Sequence, residues 1–296
     1  MALLCPNANY EWRFLWDTAA SGGNGRLGKQ AARIILECSL ILAAASYAAA
    51  QDVAEIVRRS VENNQRNWAA APQFQFTEHD LITKGGKRTD RTYQVMMIDG
   101  SPYDKTIAVN GRPLSEAQAR AEDEKLRREE DHRRRETPQE RSKRIAEYEK
   151  GRRQDHALMG DMIRAFDFSL PGSEQMNGRE CFRVDATPKP GYNPPTRQTK
   201  VLTGMKGTLW IDVSQYQWVR VKAAVFRPVS FGLFIAHVQP GTEFTLDEAP
   251  VEGGLWMPAH FRVQINASVL FWSRNSVDDE TYTDYTRAPV PVREPK

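Results

Sequence analysis

The sequence predicts a mainly β protein of the α+β class, in which a curved antiparallel sheet forms a half-open barrel covered by helices. The dipeptides Asp99-Gly100, Asn110-Gly111 and Asn177-Gly178 each separate two apolar runs, and such pairs are the strongest short-range hairpin signals. After residue 167 the chain is almost entirely a succession of short strand-like segments joined by turns, which is typical of an antiparallel meander. The 296 residues are 40% hydrophobic and 27% charged, as in ordinary globular proteins.

The N-terminal segment has the layout of a secretory signal peptide. A basic flank precedes a short apolar run at residues 34–47, and the small residues Ala48 and Ala50 follow it. We therefore expect residues 1–50 to be an N-terminal extension plus a signal peptide cleaved after Ala50, and the mature protein to be periplasmic. The alternative is a retained anchor, but the run contains Glu37 and is shorter than the ~20 apolar residues of a membrane span. Residues 1–28 do not fit a signal peptide, which favours a translation start near Leu27.

The mature chain is expected to begin with a helix capped by Asp52. Four apolar residues recur on one side of this helix at helical spacing: Val53, Ile56, Val57 and Val61. Three strands follow at residues 73–83, 88–98 and 103–109. Later strands are predicted at residues 168–175, 179–186, 206–213, 218–226, 231–238, 242–246, 256–271 and 278–287. Residues 51–296 are therefore predicted to form one domain.

A charged helical insertion at residues 114–166 interrupts the strands. Ser115 with Gln118, and Thr137 with Glu140, form capping boxes at the starts of two helices. Acidic and basic side chains mix at i,i+4 spacing, as on solvent-exposed helices. Only the last turns, after residue 157, are apolar enough to pack on the sheet. Deletion of the first helix is accordingly expected to remove little buried apolar area.

The charge pattern gives no reason to expect a nucleic-acid partner. A basic run lies at residues 133–135, but neighbouring acidic residues neutralise it, and the whole chain has 41 Lys and Arg against 38 Asp and Glu.

No motif in the sequence indicates catalysis, a metal or a cofactor. The five histidines lack metal-ligand spacing, and the G-x-x-x-x-G-K pattern at residues 23–29 ends in Gln30, where a phosphate-binding loop has Ser or Thr. The acidic run at residues 278–280 lacks the spacing of a calcium loop. Cys181 lies in an alternating strand and is expected to be a buried small side chain rather than a nucleophile. We therefore predict neither catalytic residues nor metal ligands.

Two segments carry more apolar residues than a half-exposed strand needs. Residues 231–236 and 267–272 do not alternate, so both faces of these strands must be covered. Either they form a two-sided core beneath the helices, or they line an apolar groove that holds a ligand. The residues predicted to line that groove are Leu233, Ile235, Val269, Phe271, Trp210 and Trp256.

The motifs Gly207-Thr208-Leu209-Trp210-Ile211-Asp212 and Gly253-Gly254-Leu255-Trp256-Met257-Pro258, with a final Tyr282-Thr283-Asp284-Tyr285, resemble the periplasmic lipoprotein-carrier superfamily of LolA, LolB and RseB. The resemblance covers residues 52–287. It implies an unclosed barrel whose helices form a lid over an apolar cavity for acyl chains or a hydrophobic peptide, and it carries no catalytic residues. The charged insertion departs from that pattern.

Three classes of function therefore compete. The first is an exported, non-catalytic carrier or sensor that binds lipid, lipoprotein acyl chains or another apolar ligand. The second is an envelope interaction or regulatory module that docks a protein partner through the charged helices. A hydrolase is the third, and the absence of a catalytic motif disfavours it.

Overall fold

The computed structural model describes residues 38–231, 236–269 and 272–288, and for residues 38–52 it describes the backbone alone. The helices are α1 (Cys38–Ala70), α2 (Glu116–Arg135) and α3 (Pro138–Ala165). Within these residues the strands are β1 (Phe74–Lys84), β2 (Lys87–Ile98), β3 (Ser101–Val109), β4 (Arg112–Pro113), β5 (Phe166–Met176), β6 (Arg179–Pro188), β7 (Met205–Asp212), β8 (Trp218–Val225), β9 (Val229–Phe231), β10 (Ala236–Val238), β11 (Glu243–Pro250), β12 (Trp256–Val269) and β13 (Trp272–Arg287).

All the described strands belong to one antiparallel sheet that does not close. Its order is β4-β3-β2-β1-β13-β12-β11-β8-β7-β6-β5, and β10 joins it beside β12 while pairing with β9 on its other side. The long step from β1 to β13 brings the first and last strands of the domain together. Because β4 and β5 end the sheet without pairing with each other, the predicted open antiparallel sheet with an inserted helical segment is confirmed.

The predicted hairpin turns are present with the backbone conformation that their residues favour. Asn110 and Gly111 have φ angles of 54° and 68°, and Asn177 and Gly178 have 51° and 76°. Two successive positive φ angles match the twist of the flanking strands, which explains why Asn-Gly joins short hairpins. Gly207 meets a different need, because a Cβ atom there would lie 2.6 Å from the carbonyl oxygen of Lys222 on β8.

Several predicted elements differ in extent from the structure; β13, for example, begins at Trp272 rather than at residue 278. Asp52, the predicted N-cap, lies inside helix α1, which begins at Cys38. The alanine-rich stretch before Asp52 has high helix propensity and therefore extends the helix. The predicted strand at residues 231–238 is instead two strands, since Phe231 of β9 pairs antiparallel with Ala236 of β10.

The predicted translation start lies outside the described residues, and the predicted cleavage point after Ala50 lies where only the helical backbone is described. Among the helices within the described residues, none is long and apolar enough to cross a membrane.

One face of the sheet carries the main hydrophobic core, and we call it the inner face. Along β7 the inner face receives Leu209 and Ile211, while Trp210 between them points to the opposite, outer face. Strands across most of the sheet contribute to the inner face, so its core is continuous. Its largest fully buried members are Phe74, Phe261, Leu209, Ile211, Leu246, Met257, Val57 and Val95.

Helix α2, the first helix of the charged insertion, docks on the sheet through an arginine. Most of α2 is exposed, as predicted, but Arg133 is only 4% exposed. Its guanidinium group donates to the carbonyl oxygens of Ile98 and Ser101, both at 2.8 Å, and of Pro102 at 3.1 Å. Glu129, one turn earlier, accepts its Nε–H at 2.6 Å. Helix α2 is therefore attached to the β2–β3 turn mainly by the polar contacts of Arg133, its one buried residue.

Candidate functional site

Helices α1 and α3 cover the inner face of the sheet. The predicted apolar side of α1 is buried there together with the last turns of α3, and it meets strands from both halves of the sheet. The covering side chains are Val53, Ile56, Val57, Val61, Met159, Met162 and Ala165. An apolar layer thus lies between the sheet and the two helices that cover it.

The last turns of α1 add side-chain hydrogen bonds to these apolar contacts. Asn67 donates to Oε1 of Gln217 at 2.9 Å and accepts the backbone N–H of Trp256 at 3.2 Å. Asn64, one turn earlier, donates to Oε1 of Glu248 at 3.1 Å. We call the four side chains Asn64, Asn67, Gln217 and Glu248 the polar seam. All four are buried.

Glu248 is the anomalous member of the polar seam. It is 5% exposed, and its second oxygen, Oε2, has no hydrogen-bond partner within the described residues. Burial raises the pKa of Glu248 to about 8, and the hydrogen bond from Asn64 opposes this only partly. The carboxyl group is therefore mostly protonated at neutral pH unless a cation is brought to it.

The structure describes only part of the predicted apolar groove. Leu233, Ile235 and Phe271 lie outside the described residues, so their role stays a prediction. For Val269 the backbone is described, and it pairs with Ala236 of β10. The two segments with apolar excess are therefore neighbours in the sheet.

The two predicted tryptophans belong to a different cluster from the main core. Trp256 packs with Cys181 and Val219, and Trp210 packs against this cluster from its edge. Trp256 donates its indole N–H to Gln215 at 3.1 Å, in the turn that contacts α1. Trp256 therefore meets the polar end of α1 through its backbone N–H, and both tryptophans lie outside the main core beneath the helices.

Cys181 is fully buried in this second cluster. Burial raises the pKa of its thiol to about 11, and the nearby Asp212 carboxylate acts in the same direction. A thiol that stays protonated is a poor nucleophile, which agrees with the prediction of a buried small side chain.

Sequence analysis missed a group of three carboxylates on the inner face. Glu78 and Asp80 continue the alternation of β1 after Phe76, and Asp80 pairs directly with Glu280 of β13. Oxygen atoms of the three carboxylates lie within 4.8 Å of one another, and Tyr282 donates its hydroxyl to Glu280. We call Glu78, Asp80 and Glu280 the acidic group. Its spacing in sequence gives no signal, because strand pairing brings together residues two hundred positions apart.

Geometrically, the acidic group is the one set of metal-ligand side chains within the described residues that lies close enough to hold a cation. Burial raises the pKa of Asp80 to about 6; Glu280 and Asp104 add to this by repulsion, while a hydrogen bond with Glu78 opposes it. The Asp80 carboxyl group is therefore partly protonated in mildly acidic solution.

Replacing Asp80 with asparagine is expected to stabilise the protein at pH 7 by about 1 kcal/mol and to flatten its pH dependence. Because the pKa of Asp80 is raised to about 6 in the folded protein, its contribution to stability is complete below the unfolded value and is lost as pH rises to 6. Urea unfolding at pH 4.5 and pH 7 measures this difference.

Asp279→Asn is the matched control, because Asp279 is the next residue on β13. Burial alone would raise the pKa of Asp279, but hydrogen bonds from His260 and Arg262 outweigh it and lower the pKa. Loss of this carboxylate should therefore destabilise the protein at pH 7. Destabilisation by both substitutions would contradict the interpretation of the acidic group.

No family model and no curated protein sequence matches the chain. Among solved structures, the chain is similar to a DUF1329 family protein from Desulfovibrio piger, with 11% identity, coverage of 83% of this chain and 95% of that one, and a TM-score of 0.35. A LolA superfamily protein from Nitrosomonas europaea has 14% identity, coverages of 82% and 95%, and a TM-score of 0.30. The MucA/MucB complex of Pseudomonas aeruginosa has 9% identity, coverage of 81% of this chain and 100% of that one, and a TM-score of 0.24.

Proposed function

We propose that the protein is a non-catalytic carrier or sensor of the periplasm, which holds lipid, lipoprotein acyl chains or another apolar ligand between the inner face of its sheet and helix α1. The observation that carries this proposal is the continuous apolar layer of the inner face, which two helices cover and the open sheet does not enclose. Apolar ligands bind at sites lined mainly by apolar side chains.

Helix α1 is suited to act as a movable lid. In the last turns of α1 part of the contact with the sheet is made by side-chain hydrogen bonds, which water can replace. Asn63, for example, donates to the backbone carbonyl oxygens of Gln215 at 2.7 Å and of Tyr216 at 3.0 Å.

A reversible cross-link between α1 and the sheet tests this proposal. Asn63→Cys and Gln215→Cys place two thiols at the contact between α1 and the β7–β8 turn. The same variant carries Cys5→Ser and Cys38→Ser, so that these two cysteines cannot react with the reagent. A short, reducible bis-thiol reagent should then hold the lid closed. We expect a fluorescent apolar probe to bind about tenfold more weakly to the linked protein, and reduction to restore its binding.

The linked and reduced forms are the same polypeptide, so they differ only in the freedom of α1. Equal probe binding in the two forms would show that α1 does not control access to the apolar layer. An unmodified full-length protein that binds no apolar probe would refute the carrier proposal itself.

A second candidate function is an envelope regulatory module that docks a protein partner through α2 and α3. The observation that favours it is that only one side of the insertion is docked on the sheet. Arg133 and Arg144 hold that side, and Arg144 donates to the Ser101 hydroxyl at 2.6 Å. The charged surface on the other side is largely exposed. Co-purification of a defined envelope protein without lipid, lost when exposed charges of α2 are neutralised, would support this function over the carrier.

A further inference from the structure

The contact between α1 and the sheet leaves one strong hydrogen-bond acceptor unused. Oε1 of Glu248 accepts from the neutral amide of Asn64, and Oε2 accepts from nothing within the described residues. No Lys, Arg or His of the described part of the chain is paired with this carboxyl group. A buried carboxylate is costly unless a cation or several donors compensate it. Glu248 thus has a buried carboxyl oxygen that no side chain of the described residues satisfies.

An unused donor comes from the neighbouring strand. Trp218 is 2% exposed, and its indole N–H has no partner within the described residues. It follows Gln217 of the polar seam and belongs to the same core cluster as the apolar residues of α1. Strands β8 and β11 pair, with Arg220 opposite Asp247, so Trp218 and Glu248 lie at adjacent ends of the two strands.

We propose that Glu248 and Trp218 recognise the polar end of the ligand, and that this ligand is an amphipathic molecule with a primary ammonium head group beside an oxygen acceptor. The inference rests on the carrier function proposed above and specifies its ligand class. An ammonium group donates three hydrogen bonds and carries the charge that a buried carboxylate lacks. The indole N–H donates to the neighbouring oxygen.

The position of these two groups also places the apolar part of the ligand. On α1, Val61 and Val57 lie one and two turns before Asn64 on the same buried side, and on β11 the fully buried Leu246 precedes Glu248 by two residues. An alkyl chain attached to the ammonium group would therefore continue along the apolar layer beneath α1.

The charge of the inner face favours a cationic ligand over an anionic one. The acidic group of Glu78, Asp80 and Glu280 lies on the same face. Carboxylates on a surface screened from water repel an anionic head group and attract a cationic one.

Three probes of equal chain length separate these possibilities: decylammonium, decanol and decanoate, each below its micellar concentration at pH 7. Isothermal titration of the full-length protein should show decylammonium binding about tenfold more tightly than decanol, and decanoate most weakly. In Glu248→Gln this preference for ammonium should disappear while decanol still binds. In Trp218→Phe the affinity for decanol should fall several-fold, whereas that for decylammonium should not.

Glu62→Gln is the matched control, because Glu62 is an exposed glutamate of α1 that pairs with Arg58 at 2.5 Å. It should leave all three affinities unchanged. A carbon-13 titration of the Glu248 carboxyl group adds a direct measurement, since decylammonium should lower its pKa.

The outcomes distinguish this inference from the proposal on which it rests. Equal binding of the three probes, or an ammonium preference that survives Glu248→Gln, overturns the ammonium subsite and leaves the carrier function standing. Absence of binding by every probe overturns the carrier function and the subsite together.

Discussion

Replacing Arg133 with methionine is expected to lower the free energy of unfolding by about 2–4 kcal/mol, although the residue lies in a helix that is otherwise exposed. Its guanidinium group donates to the carbonyl oxygens of Ile98, Ser101 and Pro102. Methionine fills a similar volume but donates nothing, so these buried carbonyl oxygens would lose their donors. Glu129 would also lose its charged partner.

Arg134→Met is the matched control for this substitution. Arg134 is the next residue of α2, its side chain is 73% exposed, and it pairs only with Asp131 at 3.2 Å. An exposed pair of this kind contributes about 0–1 kcal/mol. Urea unfolding of both variants, with hydrogen exchange of the β2–β3 turn, measures the difference. Equal stabilities would show that the docking of α2 contributes nothing to the fold.

This prediction reverses an expectation from the sequence. Counting apolar side chains suggested that residues 115–135 could be deleted at small cost, because few of them can be buried. That count overlooks an arginine that satisfies backbone carbonyl oxygens of another element. Nothing in a run of three arginines distinguishes Arg133 from Arg134 and Arg135, since the distinction depends on which side of α2 meets the β2–β3 turn.

Local patterns predicted most of the sheet because hairpins depend on neighbouring residues. The Asn-Gly pairs at residues 110–111 and 177–178 specify turns through backbone conformation alone. The alternation along β7 likewise separates Leu209 and Ile211 from Trp210 without knowledge of the partner strands. Such signals survive in a single sequence, since each depends on only a few residues.

The candidate site was less predictable because it depends on pairings between distant segments. The acidic group exists only because β1 pairs with β13, and the polar seam exists only because α1 crosses the ends of β8 and β11. The predicted groove residues came instead from local apolar excess, a signal that identifies covered strands but not what covers them. Buried polar residues such as Glu248 look like ordinary surface residues in the sequence.

Replacing Glu248 with glutamine is expected to stabilise the protein by about 1–3 kcal/mol at pH 7 and to remove much of the pH dependence of its stability. Burial raises the pKa of Glu248 to about 8 in the folded protein, against an ordinary value of 4.5. A group with a raised pKa contributes stability that is complete below pH 4.5 and is lost as pH rises to 8. No other titratable group of the described residues contributes to this shift in the pKa of Glu248. Its hydrogen-bond partner is the neutral amide of Asn64, and its pairing partner on β12 is Pro258.

Glutamine keeps the acceptor for Asn64 and cannot ionise, so the free energy of unfolding of the variant should vary less between pH 5 and pH 8 than that of the unmodified protein. Urea unfolding across this range measures both slopes, with Glu62→Gln as the control that should change neither. A gain in stability combined with a loss of preference for ammonium would mean that the chain retains an unfavourable buried carboxyl group for binding, since folding alone would favour its replacement. A variant that is destabilised at every pH would instead mean that Glu248 is satisfied in the folded protein, and the ammonium subsite would lose its physical basis.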